Sequence, residues 1–293
     1  MKPPPFEYHA PVTLEDACVL LATLENAKVL AGGQSLIPML NMRFAFPDHL
    51  VDINGIPDLG AIVADRNLVT IGAIVRQRAL EIDPQLALVA PIFSEALPLL
   101  GHRQTRNRGT IGGSLCQLDP AAELPLLALL HDATIRIASA GGRQRSVPMD
   151  QFIGGYLTPT IGPEELVVGI DIVPWSEGHG YAFYEYARRH GDFAIASVAC
   201  LLDLDDDLRV VRAAIAVGGI GSVPARLPTA ESLLVGFSVD AEIAAEAGRR
   251  CADLEVVGEA EGQAAYNSGV AAALVRRAVL RAFERARAGK VGR

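Results

Sequence analysis

Two stretches of this chain carry the residue types that hold an anion. In Val29-Leu30-Ala31-Gly32-Gly33-Gln34-Ser35-Leu36 an apolar run stops at two glycines and continues into small polar residues. Lacking side chains, paired glycines let the backbone curl tightly and bring its N–H groups within hydrogen-bond distance of phosphate oxygens. Ser35 adds a hydroxyl donor, and a short helix starting there would add partial positive charge. Far downstream, Gly109-Thr110-Ile111-Gly112-Gly113-Ser114 repeats the pattern. Here Ile111 anchors the loop while Thr110 and Ser114 set hydroxyls beside glycine amides, again a nest suited to an anion. Arg103, Arg106 and Arg108 just before it could neutralise phosphate charge or pair with surface carboxylates. One Gly-Gly turn is usually only a turn. Two such nests imply one long phosphate-bearing ligand held from two sides.

Other chemistries lack their patterns. No GxxxxGK[ST] loop is present, and Gly219-Ile220-Gly221 runs into Ser222, Val223 and Pro224 where a GxGxxG fingerprint needs its third glycine. HExxH, GxSxG and any local Cys–His pair suggesting a nucleophile are missing as well. Cys18, Cys116, Cys200 and Cys251 are scattered, without the spacing of a zinc site or an iron–sulfur centre, and read as buried thiols of a reducing compartment. No metal site is expected. A net charge of -8 argues against a nucleic-acid partner, because such binding rests on clustered Lys and Arg. The opening Met1-Lys2-Pro3-Pro4-Pro5-Phe6 has no apolar signal region, and apolar runs such as 124–130 fall short of a membrane span, so a cytoplasmic protein with no membrane span is expected.

The elements that must position the two stretches fall into three units, 1–56, 57–175 and 176–293. In the first, Thr13 with Asp16 reads as a helix cap, and Leu14, Ala17, Cys18, Leu21 and Leu24 follow at helical spacing. Strands are predicted at 28–31 and 49–53, with a brief helix over 35–42 that tolerates Pro38 only near its first turn. In the second, strands at 61–64 and 68–71 flank a turn, and helical patterns cover 76–81 and 90–100. Asp119-Pro120-Ala121-Ala122-Glu123 has the order of a helix start leading into 124–130. Segments 134–139 and 143–147 form a hairpin about Gly141-Gly142, and 166–173 is a strand. In the third, strands at 197–204 and 210–217 join through Asp205-Asp206-Asp207, and an amphipathic helix over 266–287 carries Val270, Leu274, Val275, Ala278, Val279, Ala282 and Phe283 on the side that covers the sheet.

Three motifs stand in order, Val29-Leu30-Ala31-Gly32-Gly33-Gln34-Ser35-Leu36-Ile37-Pro38, Arg106-Asn107-Arg108-Gly109-Thr110-Ile111-Gly112-Gly113-Ser114 and Arg189-His190-Gly191-Asp192-Phe193-Ala194, and they carry a resemblance that extends over nearly the whole chain. With them the sequence resembles the FAD-binding medium subunit of molybdenum hydroxylases, the family of the carbon monoxide dehydrogenase flavoprotein and the xanthine dehydrogenase flavin domain. The resemblance implies an α+β fold: a two-subdomain FAD-binding region of vanillyl-alcohol-oxidase (PCMH) type, then a carboxy-terminal α+β domain of carbon monoxide dehydrogenase flavoprotein type. It implies that Val29, Leu30, Ala31, Gly32, Gly33, Gln34, Ser35 and Leu36, with Thr110, Ile111, Gly112, Gly113 and Ser114, hold the FAD pyrophosphate and adjoining sugar. Glu123 stands where relatives usually carry an aspartate that accepts hydrogen bonds from cofactor hydroxyls. Val167 would line the adenine end, and Leu100 and Phe193 would lie near the isoalloxazine ring. Ser114 replaces a frequent asparagine, and Tyr184-Glu185-Tyr186 lacks a lysine often found there; strand packing is the simpler role for both tyrosines.

The function so implied is electron transfer, with FAD as cofactor and no general acid or base in this chain. A small [2Fe-2S] subunit and a large molybdopterin subunit are the expected partners, in an (αβγ)2 heterohexamer. The alternative is a self-contained FAD-dependent oxidase or dehydrogenase with its own small-molecule substrate, for which Tyr156 and His190 are unassigned candidates. A non-catalytic nucleotide-binding protein is the third reading.

Overall fold

The computed structural model describes residues 2–258 and 262–291, in three units each built on its own sheet. The first holds β1 (Glu7–His9), α1 (Leu14–Thr23), β2 (Ala27–Leu30), α2 (Leu36–Asn41) and β3 (His49–Asp52), with the strands parallel in the order β1-β3-β2. Thr13 caps α1 as its spacing predicts, its Oγ1 accepting from the Asp16 amide at 3.1 Å. Buried Ala17, Cys18 and Leu21 pack α1 against Val51 and Ile53 at the end of β3. The three-residue β1 is too short to leave a periodic signal in sequence.

The second unit is an antiparallel sheet, order β4-β5-β10-β6-β7, of β4 (Ile62–Ala64), β5 (Val69–Gly72), β6 (Thr134–Ser139), β7 (Arg143–Pro148) and β10 (Leu166–Ile172). Between β5 and β6 run α3 (Gln77–Ile82), α4 (Pro84–Val89), α5 (Ile92–Ala96), α6 (Arg103–Arg108), α7 (Ile111–Gln117) and α8 (Glu123–Leu130). After β7 come α9 (Met149–Phe152) and a small ladder of β8 (Ile153–Gly155) with β9 (Thr158–Pro159). The sequence pattern missed α4 because two helices meet at one residue. Asp83 ends α3 and caps α4, its Oδ1 accepting from the amides of Gln85 and Leu86 at 3.0 and 2.8 Å, while Pro84 occupies the first helical turn. Ala90 leaves the helical region before Pro91, as a residue preceding proline must, so the predicted helix over 90–100 shrinks to α5.

The third unit is an antiparallel sheet, order β11-β12-β13-β14, of β11 (Gly180–Tyr186), β12 (Ala196–Leu204), β13 (Val210–Gly218) and β14 (Ala225–Arg226). It is covered by α10 (Pro228–Leu234), α11 (Ala241–Arg249) and α12 (Gln263–Val291). Alternation along β12 sends Val198, Cys200 and Leu202 into the core with α12, and Ala199 and Leu201 into the core of the second unit. Strand β12 is therefore buried on both faces, which is why 198–202 reads as an unbroken apolar run. The amphipathic reading of α12 holds: Leu274, Val275, Ala278, Val279, Ala282 and Phe283 are buried against that sheet, with Val270 packed beside them.

Helix α8 is the hinge of the packing. Every residue from Glu123 to Leu130 is buried, because α8 lies between α7 and α9 of its own unit and strands β12 and β13 of the third. Its C-terminal neighbour His131 is 3% exposed and stacks on Phe93 at a centroid separation of 5.7 Å. Neither ring nitrogen meets a partner among the described residues. Burial, then the charges of His179, Arg212 and Arg226, push its pKa down from 6.5 to about 3. The unfolded chain thus binds a proton below pH 6.5 that the native chain refuses until about pH 3, so native stability falls as pH drops through that window. The slope contributed is up to about 1.4 kcal/mol per pH unit. His131→Phe is expected to flatten the fall of Tm between neutral and acid pH; an unchanged slope would assign the acid sensitivity elsewhere.

Candidate cofactor site

The Gly32-Gly33 turn leaves β2 and opens onto a cleft of about 420 Å³ lined by Leu30, Ala31, Gly32, Gly33 and Gln34, with Ile37, Pro38 and Asn41 of α2 and Asp52, Asn54 and Arg108 beyond. The amides of Gly32, Gly33, Gln34 and Ser35 meet no acceptor among the described residues. Gly33 has φ +72°, a left-handed value that favours glycine. Gly32 is fixed by space: a Cβ there would sit 2.4 Å from the Arg108 carbonyl oxygen and 2.8 Å from Gly109 Cα. The two glycine stretches of the sequence are thus in backbone contact.

Residues outside both stretches hold them there. Arg76, just before α3, donates from Nη1 to the Arg108 carbonyl at 2.5 Å and from Nη2 to Asn54 Oδ1 at 2.6 Å. Asn54 Nδ2 in turn donates to the Ala31 carbonyl at 2.8 Å and to Asp52 Oδ1 at 2.6 Å. Tyr8 Oη donates to Asp52 Oδ2 at 2.6 Å, tying β1 to the same network. Burial and the nearby charge of Arg108 push the Arg76 guanidinium below its ordinary range, with Asp52 pulling the other way. The Arg108 side chain has no carboxylate partner among the described residues. Free amides with cationic side chains behind them suit a phosphate-bearing group. Sequence reading missed Asp52, Asn54 and Arg76, since nothing in their local spacing points to the turn.

The second stretch is built differently from the open nest its glycines suggest. It is the first turn of α7, capped by Thr110, whose Oγ1 accepts from Gly113 N at 3.1 Å. The amides of Ile111 and Gly112 donate to the carbonyls of Val75 and Ala73, and Ser114 N donates to the Thr110 carbonyl. A Cβ on Gly112 would lie 2.7 Å from Ala73 Cβ, so this glycine serves helix-to-strand packing. Ile111 is buried in the core beside it, whereas Gly113 is exposed and Ser114 half-buried. Arg106 is likewise not a phosphate ligand. It is buried, paired with Glu81 at 2.8 Å, and donates to the carbonyls of Leu100 and Gly101.

The remaining predicted residues divide. Leu100 is buried where Arg106 holds the 100–101 turn, and Gly191 lies against the adjacent His102 ring, bringing the segments of Leu100 and Phe193 together. Phe193 itself is 72% exposed. Val167 sits on β10 in the core and does not line the cleft; nor do Val29, Ser35 and Leu36. Glu123 is buried at the start of α8 near Glu185 of β11. Burial raises the pKa of both carboxyls well above 4.5, and at Glu123 the charge of Glu185 adds to it, so the pair retains a proton that the unfolded chain releases. Stability from this pair is therefore lost as pH rises from 4.5 into the alkaline range.

The FAD binding domain in molybdopterin dehydrogenase matches residues 4–176, and the CO dehydrogenase flavoprotein C-terminal domain matches residues 181–282. The fold and these family matches together define an FAD-binding flavoprotein. Over 292 residues the chain is 39% identical to the 6-hydroxypseudooxynicotine dehydrogenase complex subunit alpha of Paenarthrobacter nicotinovorans, covering 99% of this chain and 98% of that one. It is 35% identical to the carbon monoxide dehydrogenase medium chain of Hydrogenophaga pseudoflava over 97% of this chain and 99% of that one. It superposes on solved carbon monoxide dehydrogenase from the same organism with a TM-score of 0.93, and on quinoline 2-oxidoreductase of Pseudomonas putida 86 with 0.92 at 34% identity, covering 97% and 98% of this chain and 99% of each of theirs. The chain belongs to the family of FAD-binding medium subunits of molybdenum hydroxylases. Its cofactor is FAD, and it is the flavoprotein subunit of an oxidoreductase complex. Among the described residues no helix is long and apolar enough to cross a membrane.

Two substitutions probe this site. Gly32→Ala is expected to purify with little FAD and to lose about 1–3 kcal/mol of stability, the usual range for overpacking; normal flavin content by absorbance would refute the backbone contact. Glu185→Gln is expected to reduce, without abolishing, the fall of Tm between pH 4.5 and about 8, because burial still raises Glu123 when Glu185 is neutral; thermal melts across that range that match the parent would refute the pairing.

Proposed function

We propose that this chain passes electrons from the iron–sulfur clusters of a small [2Fe-2S] subunit through FAD to an external acceptor. A large molybdopterin subunit completes the assembly, with two copies of each of the three chains, and the substrate is oxidised there. The observation that carries this reading is near-full-length likeness to chains named as subunits, among them the medium chain of carbon monoxide dehydrogenase, at 97% coverage of this chain. Its own thiols support it. Burial pushes Cys116 and Cys251 up to about 12 and Cys200 higher still, so these sulfurs stay protonated and none is poised to hold a cluster.

Bound FAD supplies reversible one- and two-electron chemistry. The chain's residues bind and orient it. In this reading the free amides of Gly32 to Ser35 donate to the pyrophosphate, with Arg76 and Arg108 supplying positive field from behind the turn. Val29 to Ala31 and Leu36 shape the walls of that turn. Thr110 and Ser114 offer hydroxyls, and exposed Gly113 lets the cofactor approach the start of α7. Glu123 accepts from cofactor hydroxyls, and the upward shift of both Glu123 and Glu185 disfavours two buried charges there. Leu100 and Phe193 lie at the ring end and Val167 at the adenine end, where they keep water from the cofactor.

The purified chain should be yellow and retain FAD. Anaerobic mixing with the chemically reduced small [2Fe-2S] subunit is expected to bleach the flavin band, while small organic substrates alone leave it oxidised. Rapid bleaching by an organic substrate without partners would instead favour a self-contained dehydrogenase. A colourless protein that takes up no added FAD would overturn both.

A further inference from the structure

We propose that Glu7, His9 and His49 form a binding site for one zinc-class divalent cation that clips the N-terminal strand to its sheet. In the parallel pairing of β1 with β3, Glu7 lies opposite His49, and His9 is two residues along the same strand. All three side chains therefore project from one face of the sheet. His9 Nε2 and His49 Nδ1 are 3.2 Å apart, His49 Nδ1 and Glu7 Oε2 are 3.5 Å apart, and all three ligand atoms lie within 4.8 Å of one another. Two ligands of a tetrahedral zinc, each about 2.0–2.1 Å from the metal, are separated by about 3.3 Å. Two edges of the triangle already match that length. The third closes by a swing of Glu7, whose side chain is 75% exposed and has room to move.

The donor set selects the ion. Two imidazoles and one carboxylate suit Zn2+ and its transition-metal neighbours, whereas Mg2+ and Ca2+ take oxygen ligands. The fourth position is left to water. Without an ion, two ring nitrogens at 3.2 Å share one proton, and the cation takes that proton's place. The site lies on the face opposite the one where Tyr8 reaches Asp52, so β1 would be fastened on both sides: by the cation on one, and by a hydrogen bond to a residue of the cofactor cleft on the other. Nothing in local sequence spacing announces the site, because its ligands come from strands separated by α1, β2 and α2.

The test uses the full chain, stripped with a chelator and dialysed against Zn2+ alone, with bound metal measured per chain. One zinc per chain is expected, together with a Co2+ absorption band at wavelengths beyond the flavin bands. Zn2+ should raise Tm. His9→Ala and His49→Ala should each abolish binding, and Glu7→Gln should weaken it by more than about tenfold, the low end of the effect of losing even an outer partner of a metal ligand. Circular dichroism and metal-free Tm verify that the variants fold; Glu7→Gln, at an exposed position, serves if either histidine variant does not. Absence of stoichiometric binding overturns the proposal. So does binding that survives these substitutions, including binding lost instead in His102→Ala, whose ring lies 6.4 Å from His190.

Discussion

The cleft depends on one close approach. Gly32 touches the Arg108–Gly109 backbone at a separation no side chain permits, and this contact joins a turn after β2 to the end of α6. Arg76 then has something to clamp, because its two guanidinium arms reach Arg108 on one side and Asn54 on the other. With the carbonyl of Ala31 taken by Asn54, the turn presents its N–H side to the cleft and its C=O side to protein. The polarity of the site follows from this arrangement: the donors face outward because the acceptors are already engaged. A turn with the same glycines but no such partner would be free to rotate its peptide groups, and would hold no particular anion.

A second constraint acts on the electrostatics. Helix α8 is apolar all round because helices of its own unit and the third unit's sheet both pack on it, and its first residue, Glu123, is carried into the interior with it. A carboxylate there would be expensive to desolvate. Burial lifts Glu123 and its neighbour Glu185 from the third unit well above the usual carboxylate range, so both favour the neutral form over two charges in the interior. The ionisation of a residue in the cofactor-binding unit is therefore set partly by a strand of a different unit. His131 at the other end of the same helix is shifted in the opposite direction, kept neutral with no hydrogen-bond partner for either ring nitrogen among the described residues.

Much of the fold was legible in the sequence where a period or a cap spoke for itself. The Thr13 cap, the hairpin about Gly141-Gly142, the paired apolar strands and the stripe of α12 correspond to the structure's elements. Misreadings came where two signals competed. Asp83-Pro84 restarts a helix, which periodicity alone averages over. Gly112-Gly113 resembles a phosphate loop, yet Thr110 caps a helix there and the glycines serve packing and capping more than they open a nest. At the site, the glycine turn was visible because its composition is local. Asp52, Asn54 and Arg76 were not, because each becomes informative only when folding brings it to the turn from another element. Family resemblance supplied the cofactor's identity, which the glycines alone could not.

The doubly buried sheet of the third unit has a further consequence. Ala199 and Leu201 belong to one core and Val198, Cys200 and Leu202 to another, so a single strand is shared property. The segment between residues 176 and 181, where one family pattern stops and the next begins, looks like a seam in the sequence. In the packed protein it is no seam. Cutting there would strip α8 of half its cover and leave the sheet with a bare apolar face. The two patterns are thus one heritable piece: neither can be exchanged for a foreign counterpart unless the side chains at that shared surface change with it.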